Sequence, residues 1–224
     1  GYFSSATPRT AGSWTFTEIT RVGWTMQLYV EDLDGDTDKD IVYSDRDPIN
    51  EPSDDSTKRG LRWMENPAIG GGSWEAHPIS LIEGQHKWFT LRDWDGDGDK
   101  DIMDCRSNPA PSYINSTTLY ANGGNFASFT PVSMSIPSGV GLCQHATVAD
   151  IDADGALDIG WSFSNATALE GVAWARRSGS AFAPGLLAGK IAGDLDADSD
   201  VKMDNLEWVD VDGDGDLDAT TTEQ

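Results

Sequence analysis

Asp32-Leu33-Asp34-Gly35-Asp36-Thr37-Asp38-Lys39-Asp40-Ile41 is the stretch on which the fold turns, because the chain returns to it three more times. The later copies run from Asp93 to Ile102, from Asp150 to Ile159 and from Asp210 to Ala219, starting 61, 57 and 60 residues after one another. Every copy has aspartate at its first, third, fifth and ninth places, and three keep glycine at the sixth (Gly98, Gly155, Gly215). A motif recurring at a near-constant interval of this length marks a repeat architecture.

The chemistry of the motif points to calcium. Aspartates at places one, three and five of a tight turn converge on one cavity. A backbone carbonyl near place seven and the carboxylate at place nine close the shell. The ligands expected are therefore Asp32, Asp34, Asp36, Asp38 and Asp40; Asp93, Asp95, Asp97, Asp99 and Asp101; Asp150, Asp152, Asp154, Ala156 and Asp158; and Asp210, Asp212, Asp214, Asp216 and Asp218. So many hard oxygens suit Ca²⁺ better than Mg²⁺, which demands a strict octahedron and keeps its waters. Transition metals favour His or Cys, and neither recurs in the loops. An EF-hand begins the same way but ends on Glu at place twelve, where this chain has Tyr43, Asp104, Trp161 and Thr221. No amphipathic helix flanks any copy. Two unit charges about 4 Å apart repel by roughly 4 kcal/mol at an effective dielectric near 20. Carboxylates packed this densely call for a cation, against the alternative that an acidic run is only a solvated face.

Composition narrows the function classes. A chain of 224 residues can bury a full core as one domain. Its net charge of −23 opposes nucleic acid, itself a polyanion. No apolar run reaches the length of a membrane span, so membrane insertion is not expected. The chain starts at Gly1 with no charged-then-apolar leader, which reads as a processed or excised segment. Tandem calcium loops suit the millimolar calcium outside cells, so an extracellular or cell-surface location is expected. The two cysteines, Cys105 and Cys143, are read as a disulfide, with two buried thiols as the other reading. Asn115-Ser-Thr and Asn165-Ala-Thr are glycosylation sequons.

Around the loops the sequence alternates. Leu28 and Val30, Phe89 and Leu91, Ala146 and Val148, and Leu206 and Trp208 stand four and two places before their loops. A period of two marks a strand with one buried face. A second strand follows each loop, a third runs near Leu61–Trp63, Leu119–Ala121 and Val172–Trp174, and a fourth covers Ser73–Ile79, Phe126–Val132 and about Ala181–Leu187. Four short antiparallel strands per repeat make a propeller blade. Residues 1–20 align without a gap on 61–80, setting Phe3 against Trp63 and Trp14 against Trp74. The expected architecture is all-β: one propeller domain over 1–224. Its parts are 1–20 as the last two strands of a closing blade, blades at 24–80, 85–135 and 143–187, an acidic insert at 188–204, and 205–224 as the first two strands of the closing blade. Pairing the terminal strands within one chain closes four blades and removes the open sheet edges, whereas pairing between chains builds a larger assembly.

These residues resemble the FG-GAP/VCBS repeat family, the integrin-α-like propeller repeats. The Asp-x-Asp-Gly-Asp-Gly-x-x-Asp-Ile loop is the hallmark, and Gly60-Leu-Arg-Trp-Met-Glu-Asn-Pro67 followed by Trp74 and Ile79 is similar to a common bacterial variant. The resemblance implies a β-propeller holding Ca²⁺ between the first and second strands of each blade. Most relatives have seven or eight blades, where this chain accounts for four. Thr37 takes the place of the usual sixth-place glycine, which is expected to weaken the first site.

Residues 188–204 have no counterpart. Asp194, Asp196, Asp198 and Asp200 mimic the loop, but Lys202 stands at the ninth place. The insert is either a degenerate copy or a fifth calcium site completed by Asp204, giving four ions or five. At the start of each innermost strand the equivalent residues are Gln27, Trp88, His145 and Asn205, with His86 nearby. They are expected to ring the mouth of the central channel, as a sugar or peptide site or as an ordinary hydrated lining. The loops on that side carry Arg46, Asn50, Arg106, Tyr113, Asn115 and Asn165.

Three function classes follow. The first is a non-catalytic extracellular module that binds a glycan or protein. The second is a calcium-dependent subunit that assembles with copies of itself through its terminal strands. The third is the propeller of a polysaccharide lyase or dehydratase with His145 or His86 as base. No nucleophile motif and no carboxylate pair apart from the calcium loops stands out, so the first class is preferred and no catalytic residue is assigned.

Overall fold

Each acidic loop joins two antiparallel strands, and the strands extend because β-branched and aromatic residues crowd them. The computed structural model describes residues 1–45, 60–67, 72–80, 85–108, 114–137, 140–164, 171–178, 181–182 and 203–223. Within these, β1 (Tyr2–Ser4) and β2 (Thr15–Thr17) form a hairpin. A four-stranded sheet follows in the order β3 (Thr25–Glu31), β4 (Asp40–Asp45), β5 (Gly60–Glu65), β6 (Glu75–Ser80). The next repeats the pattern with β7 (Gln85–Arg92), β8 (Asp101–Asn108), β9 (Ile114–Asn122) and β10 (Phe129–Met134). The third has β11 (Leu142–Ala149), β12 (Asp158–Ser164) and β13 (Val172–Ala175), with a short ladder of β14 (Arg177–Ser178) and β15 (Ala181–Phe182) after it. The last pair is β16 (Met203–Val209) and β17 (Asp218–Glu223). The described residues contain no helix. Repeated antiparallel sheets stacked through their faces are consistent with a β-propeller.

The core lies between sheets, and the period of two decides which core each residue joins. On β8, Ile102 faces the first sheet and packs with Val42, Leu61, Trp63, Phe89, Leu91 and Tyr120. Its neighbour Met103 faces the third sheet and packs with Leu119, Ala146, Val148, Ile159 and Trp161. Burying each such large side chain contributes roughly 1.5–3 kcal/mol. The third sheet departs from the one-face expectation: β12 is buried at every position and β11 at all but its last. It is covered on both sides, by the second sheet and by β16. The last contact is close. A Cβ at Gly160 would lie 2.4 Å from Trp208 Nε1, so only glycine lets that indole lie on β12.

One irregularity recurs in all four innermost strands. The ladder to the following strand slips between Thr25 and Leu28, between His86 and Phe89, between Cys143 and His145, and between Met203 and Leu206. A bulge at the same place in each repeat bends the strand and re-aims the side chains beside it. Those side chains are Gln27, Trp88, His145 and Asn205.

The terminal halves stand apart. β1 pairs with β2, and β16 with β17; among the described residues no ladder joins the two hairpins. The N-terminal hairpin sets Phe3 opposite Phe16, one residue away from the register that alignment on β5–β6 implies. Phe3 is 66% exposed where its counterpart Trp63 is 4%. The hairpin lacks the two inner strands that would cover it.

Candidate metal centre

The backbone builds every acidic loop in the same way. The first-place carboxylate accepts the N–H of the sixth residue in all four: Thr37 N at 3.1 Å, Gly98 N at 3.1 Å, Gly155 N at 3.0 Å and Gly215 N at 3.0 Å. To turn that tightly the chain enters the left-handed region at places four and six. The φ values are 84° and 81° at Gly35 and Thr37, 82° and 99° at Gly96 and Gly98, 57° and 89° at Ala153 and Gly155, and 80° and 97° at Gly213 and Gly215. Glycine fits these positions without strain, whereas Thr37 and Ala153 do not.

The ninth-place aspartate pins the loop to its blade. One oxygen accepts the N–H of the second loop residue: Leu33 at 2.9 Å, Trp94 at 2.8 Å, Ile151 at 3.1 Å and Val211 at 3.0 Å. In three repeats the other oxygen accepts an N–H at or just beyond the end of the third strand, from Asn66 at 2.9 Å, Asn122 at 2.7 Å and Arg177 at 2.7 Å. Burial, the leading cause, raises the pKa of Asp40, Asp101 and Asp158 despite these bonds. A carboxylate oxygen has two acceptor sites, so each can bind a backbone N–H and a metal together.

The carboxylates converge as a metal would require. Ligand oxygens of Asp93, Asp95 and Asp101 lie within 4.8 Å of one another, as do those of Asp150, Asp152 and Asp158 and of Asp210, Asp212 and Asp218. In the first loop the converging set is Asp32, Asp34 and Asp36. The fifth-place carboxylates of all four loops, Asp36, Asp97, Asp154 and Asp214, accept the N–H two residues on. All-oxygen clusters of this kind fit a hard cation such as Ca²⁺, and Asp38, Asp99, Ala156 and Asp216 offer the carbonyl position. The third loop has a cation of its own: Arg176 reaches Asp152 at 2.8 Å and Asp154 at 2.8 Å. Sequence reasoning missed that contact, since Arg176 lies in the third strand's exit and no loop pattern includes it. Asp204 is buried in β16. Asp194, Asp196, Asp198 and Asp200 lie outside the described residues, as do Arg46, Asn50, Tyr113 and Asn165.

At the opposite ends of the inner strands, Gln27 and His145 act as latches between blades. The Gln27 side-chain carbonyl accepts the N–H of Phe89 at 2.9 Å, and its amide donates to Tyr29 Oη at 2.8 Å. Equivalent in place, His145 Nδ1 accepts the N–H of Leu206 at 3.1 Å. An accepting Nδ1 leaves the proton on Nε2, which donates to Thr90 Oγ1 at 3.2 Å, and Thr90 donates on to Ala146 O at 3.0 Å. Burial holds the His145 imidazole neutral, with its pKa lowered to about 4. Trp88 lies against His145, ring centroids 6.4 Å apart, and the two strands touch there through a single parallel bridge. The Trp88 indole N–H and the Asn205 amide oxygen are buried without a hydrogen-bond partner. His86 is fully buried and bonds Asp104 at 2.7 Å.

Two further expectations resolve. Cys105 of β8 and Cys143 of β11 are joined as a disulfide, Cα to Cα 5.8 Å, stitching the second sheet to the third. The Asn115 amide is engaged at both ends, donating to Gly141 O and accepting Cys143 N, each at 2.8 Å, so this sequon serves as a tie inside the fold.

Comparison with known proteins agrees with the repeat. Residues 93–161 match the family model described as FG-GAP-like repeat, a stretch that spans the second loop, the third loop and the blade between them. No curated protein matches the chain.

Proposed function

We propose that this chain, which carries an FG-GAP-like repeat at residues 93–161, is a calcium-stiffened, non-catalytic extracellular module that binds a glycan or protein ligand. The observation that carries this reading is the fourfold convergence of aspartate oxygens within 4.8 Å on one turn geometry. A shell filled by protein carboxylates and a carbonyl leaves no position for substrate, so the ion acts as a brace. The disulfide supports an oxidising location. No helix of the described residues is long and apolar enough to cross a membrane.

The absence of catalysis is supported by the histidines that sequence reasoning considered as bases. His86 and His145 are committed to internal bonds and buried, 0% and 2% exposed. Ligand binding is proposed at the inner-strand positions Gln27, Trp88, His145 and Asn205, where the sequence sets polar and aromatic side chains at equivalent points of each repeat. Calorimetry tests the metal reading. Wild type is expected to take up four Ca²⁺, and Asp95→Asn one fewer with a lower melting temperature. Unchanged stoichiometry in the variant, or no calcium uptake by stripped wild type, overturns it.

A second reading, assembly of copies through their terminal strands, draws on exposed apolar surface at the two ends of the array. Leu28 and Val30 of β3 are each 53% exposed and Val211 beside β16 is 64% exposed. Sedimentation with and without Ca²⁺ separates the two: a constant monomer supports the module, and calcium-driven growth supports assembly.

A further inference from the structure

Beside the first acidic loop, on the outer hairpin of the first blade, β5 and β6 bring two glutamates and an imidazole together. Glu65 stands directly opposite Glu75 in the ladder, and Trp63 opposite His77. Like charges placed opposite one another across a ladder are destabilising. Among the described residues neither glutamate makes an ion pair with a Lys or Arg, and His77 Nε2 lies 2.7 Å from Glu65 Oε2. The Trp63 ring stacks on His77 with centroids 4.6 Å apart and planes at 23°, which fixes the direction in which the imidazole points. One donor atom each from Glu65, Glu75 and His77 falls within 4.8 Å of the others. A cleft of about 560 Å³, walled by Asn125 and Phe126 of the next blade and by Asp34 of the first acidic loop, opens on Glu65 and His77.

We propose that Glu65, Glu75 and His77 form a binding site for a borderline divalent transition metal, Zn²⁺ in the first instance, beside the first acidic loop but with its own donor set. An imidazole nitrogen with two carboxylates is a donor set suited to Zn²⁺, Co²⁺ or Cu²⁺ and poorly suited to Ca²⁺. Three protein ligands leave a coordination position free, and the cleft faces it. On binding, the metal takes the Nε2 lone pair and any proton there passes to solvent, while the two carboxylates lose their mutual repulsion. The other two histidines are buried, at 0% and 2% exposure, so metal entering from solution meets imidazole only at His77.

The test uses the full chain saturated with Ca²⁺, so that the acidic loops are filled. Zn²⁺ calorimetry is expected to show one further site, and Cu²⁺ at one equivalent an electron paramagnetic resonance spectrum with coupling to a single imidazole nitrogen. His77→Gln is expected to weaken Zn²⁺ by about a hundredfold, and the exposed Glu75→Gln by at least tenfold. Asp32→Asn, which disables the neighbouring first loop, leaves Zn²⁺ uptake in place, which separates this site from that loop. Absence of Zn²⁺ uptake by calcium-loaded protein, a Cu²⁺ spectrum with no nitrogen coupling, or equal affinity in Glu75→Gln overturns the proposal. The wild-type spectrum decides even if His77→Gln fails to fold.

Discussion

Thr37→Gly should strengthen the protein, although it removes a side chain from a folded loop. Thr37 has φ of 81°, whereas the same place in the other loops holds glycine at 99°, 89° and 97°. A left-handed conformation costs a non-glycine residue roughly 1–2 kcal/mol, and more for one branched at Cβ. Glycine removes that strain but brings a looser unfolded chain, which takes back about 0.4–1 kcal/mol. The balance is a gain of about 1 kcal/mol, or ~2–4 °C in melting temperature for a chain of this size. The Thr37 N–H that reaches Asp32 stays in place, so the metal cradle is not altered.

Where the gain shows up tests the reasoning further. If calcium holds the first loop in its strained shape, the strain opposes binding, and its release tightens that site by about fivefold, the equivalent of 1 kcal/mol. Chelated protein, free to relax the loop, should then gain less than the calcium-loaded form. Urea unfolding in both states, with calorimetry of calcium uptake, reads both quantities. The reverse exchange, Gly98→Thr, should destabilise the second loop by a similar amount. A Thr37→Gly protein less stable than wild type with calcium bound would refute the argument from backbone strain.

Four other outcomes are expected. Arg176→Gln should tighten Ca²⁺ at the third loop a few-fold, because the guanidinium on Asp152 and Asp154 competes with the ion; metal-free stability should hardly move, as for other solvent-exposed ion pairs. Reducing the Cys105–Cys143 bridge, which closes 38 residues, should cost about 4 kcal/mol in urea unfolding by the chain-entropy estimate. Gly160→Ala should cost about 1–3 kcal/mol and shift tryptophan fluorescence, since its new methyl displaces Trp208. His145 has a folded pKa of about 4, below its value of 6.5 when unfolded, so the unfolded chain binds more protons between the two and stability falls as pH drops through that window. By pH 4 the loss approaches about 3 kcal/mol, and His145→Gln, which copies Gln27, should fold and lose that share of the acid sensitivity.

Much of this was legible in the residues because repetition supplies its own alignment. Four copies of one loop fix the turn geometry, and apolar residues two and four places upstream fix the strand that enters it. Aligning those strands singled out Gln27, Trp88, His145 and Asn205, and the structure brings the four to equivalent places. Other features lacked any one-dimensional signal. β11 reads Leu142-Cys-Gln-His-Ala-Thr-Val-Ala149, an alternation implying one wet face, yet both faces are covered. Its polar members reach into neighbouring blades: Gln144 accepts from Lys87, and His145 bonds Thr90 and Leu206, while Gln144 also donates to Ser164 of its own sheet. A bond to another blade leaves no periodic trace. The bulge in each inner strand is equally silent, because an extra residue shows only against a known partner.

The bulge and the ninth-place aspartate solve the same mechanical problem at opposite ends of a repeat. An innermost strand must leave its own sheet's ladder at one end to meet the next blade, and must be held at the other where the acidic turn repels itself. At the first end the slipped register frees Gln27 and His145 to accept N–H groups of the following repeat. At the second, Asp40, Asp101 and Asp158 tie the turn to the end of the third strand, while the remaining carboxylates await a cation. If calcium fills the loops as proposed, only the second end depends on metal. Stripping calcium should therefore loosen the turns first and leave the latches between blades intact. In hydrogen exchange, the amides of Leu206 and Phe89 should stay protected under chelation when those of Gly98 and Gly215 no longer are. Loss of protection at both ends together would mean that the ions hold the blades to one another as well as shaping the turns.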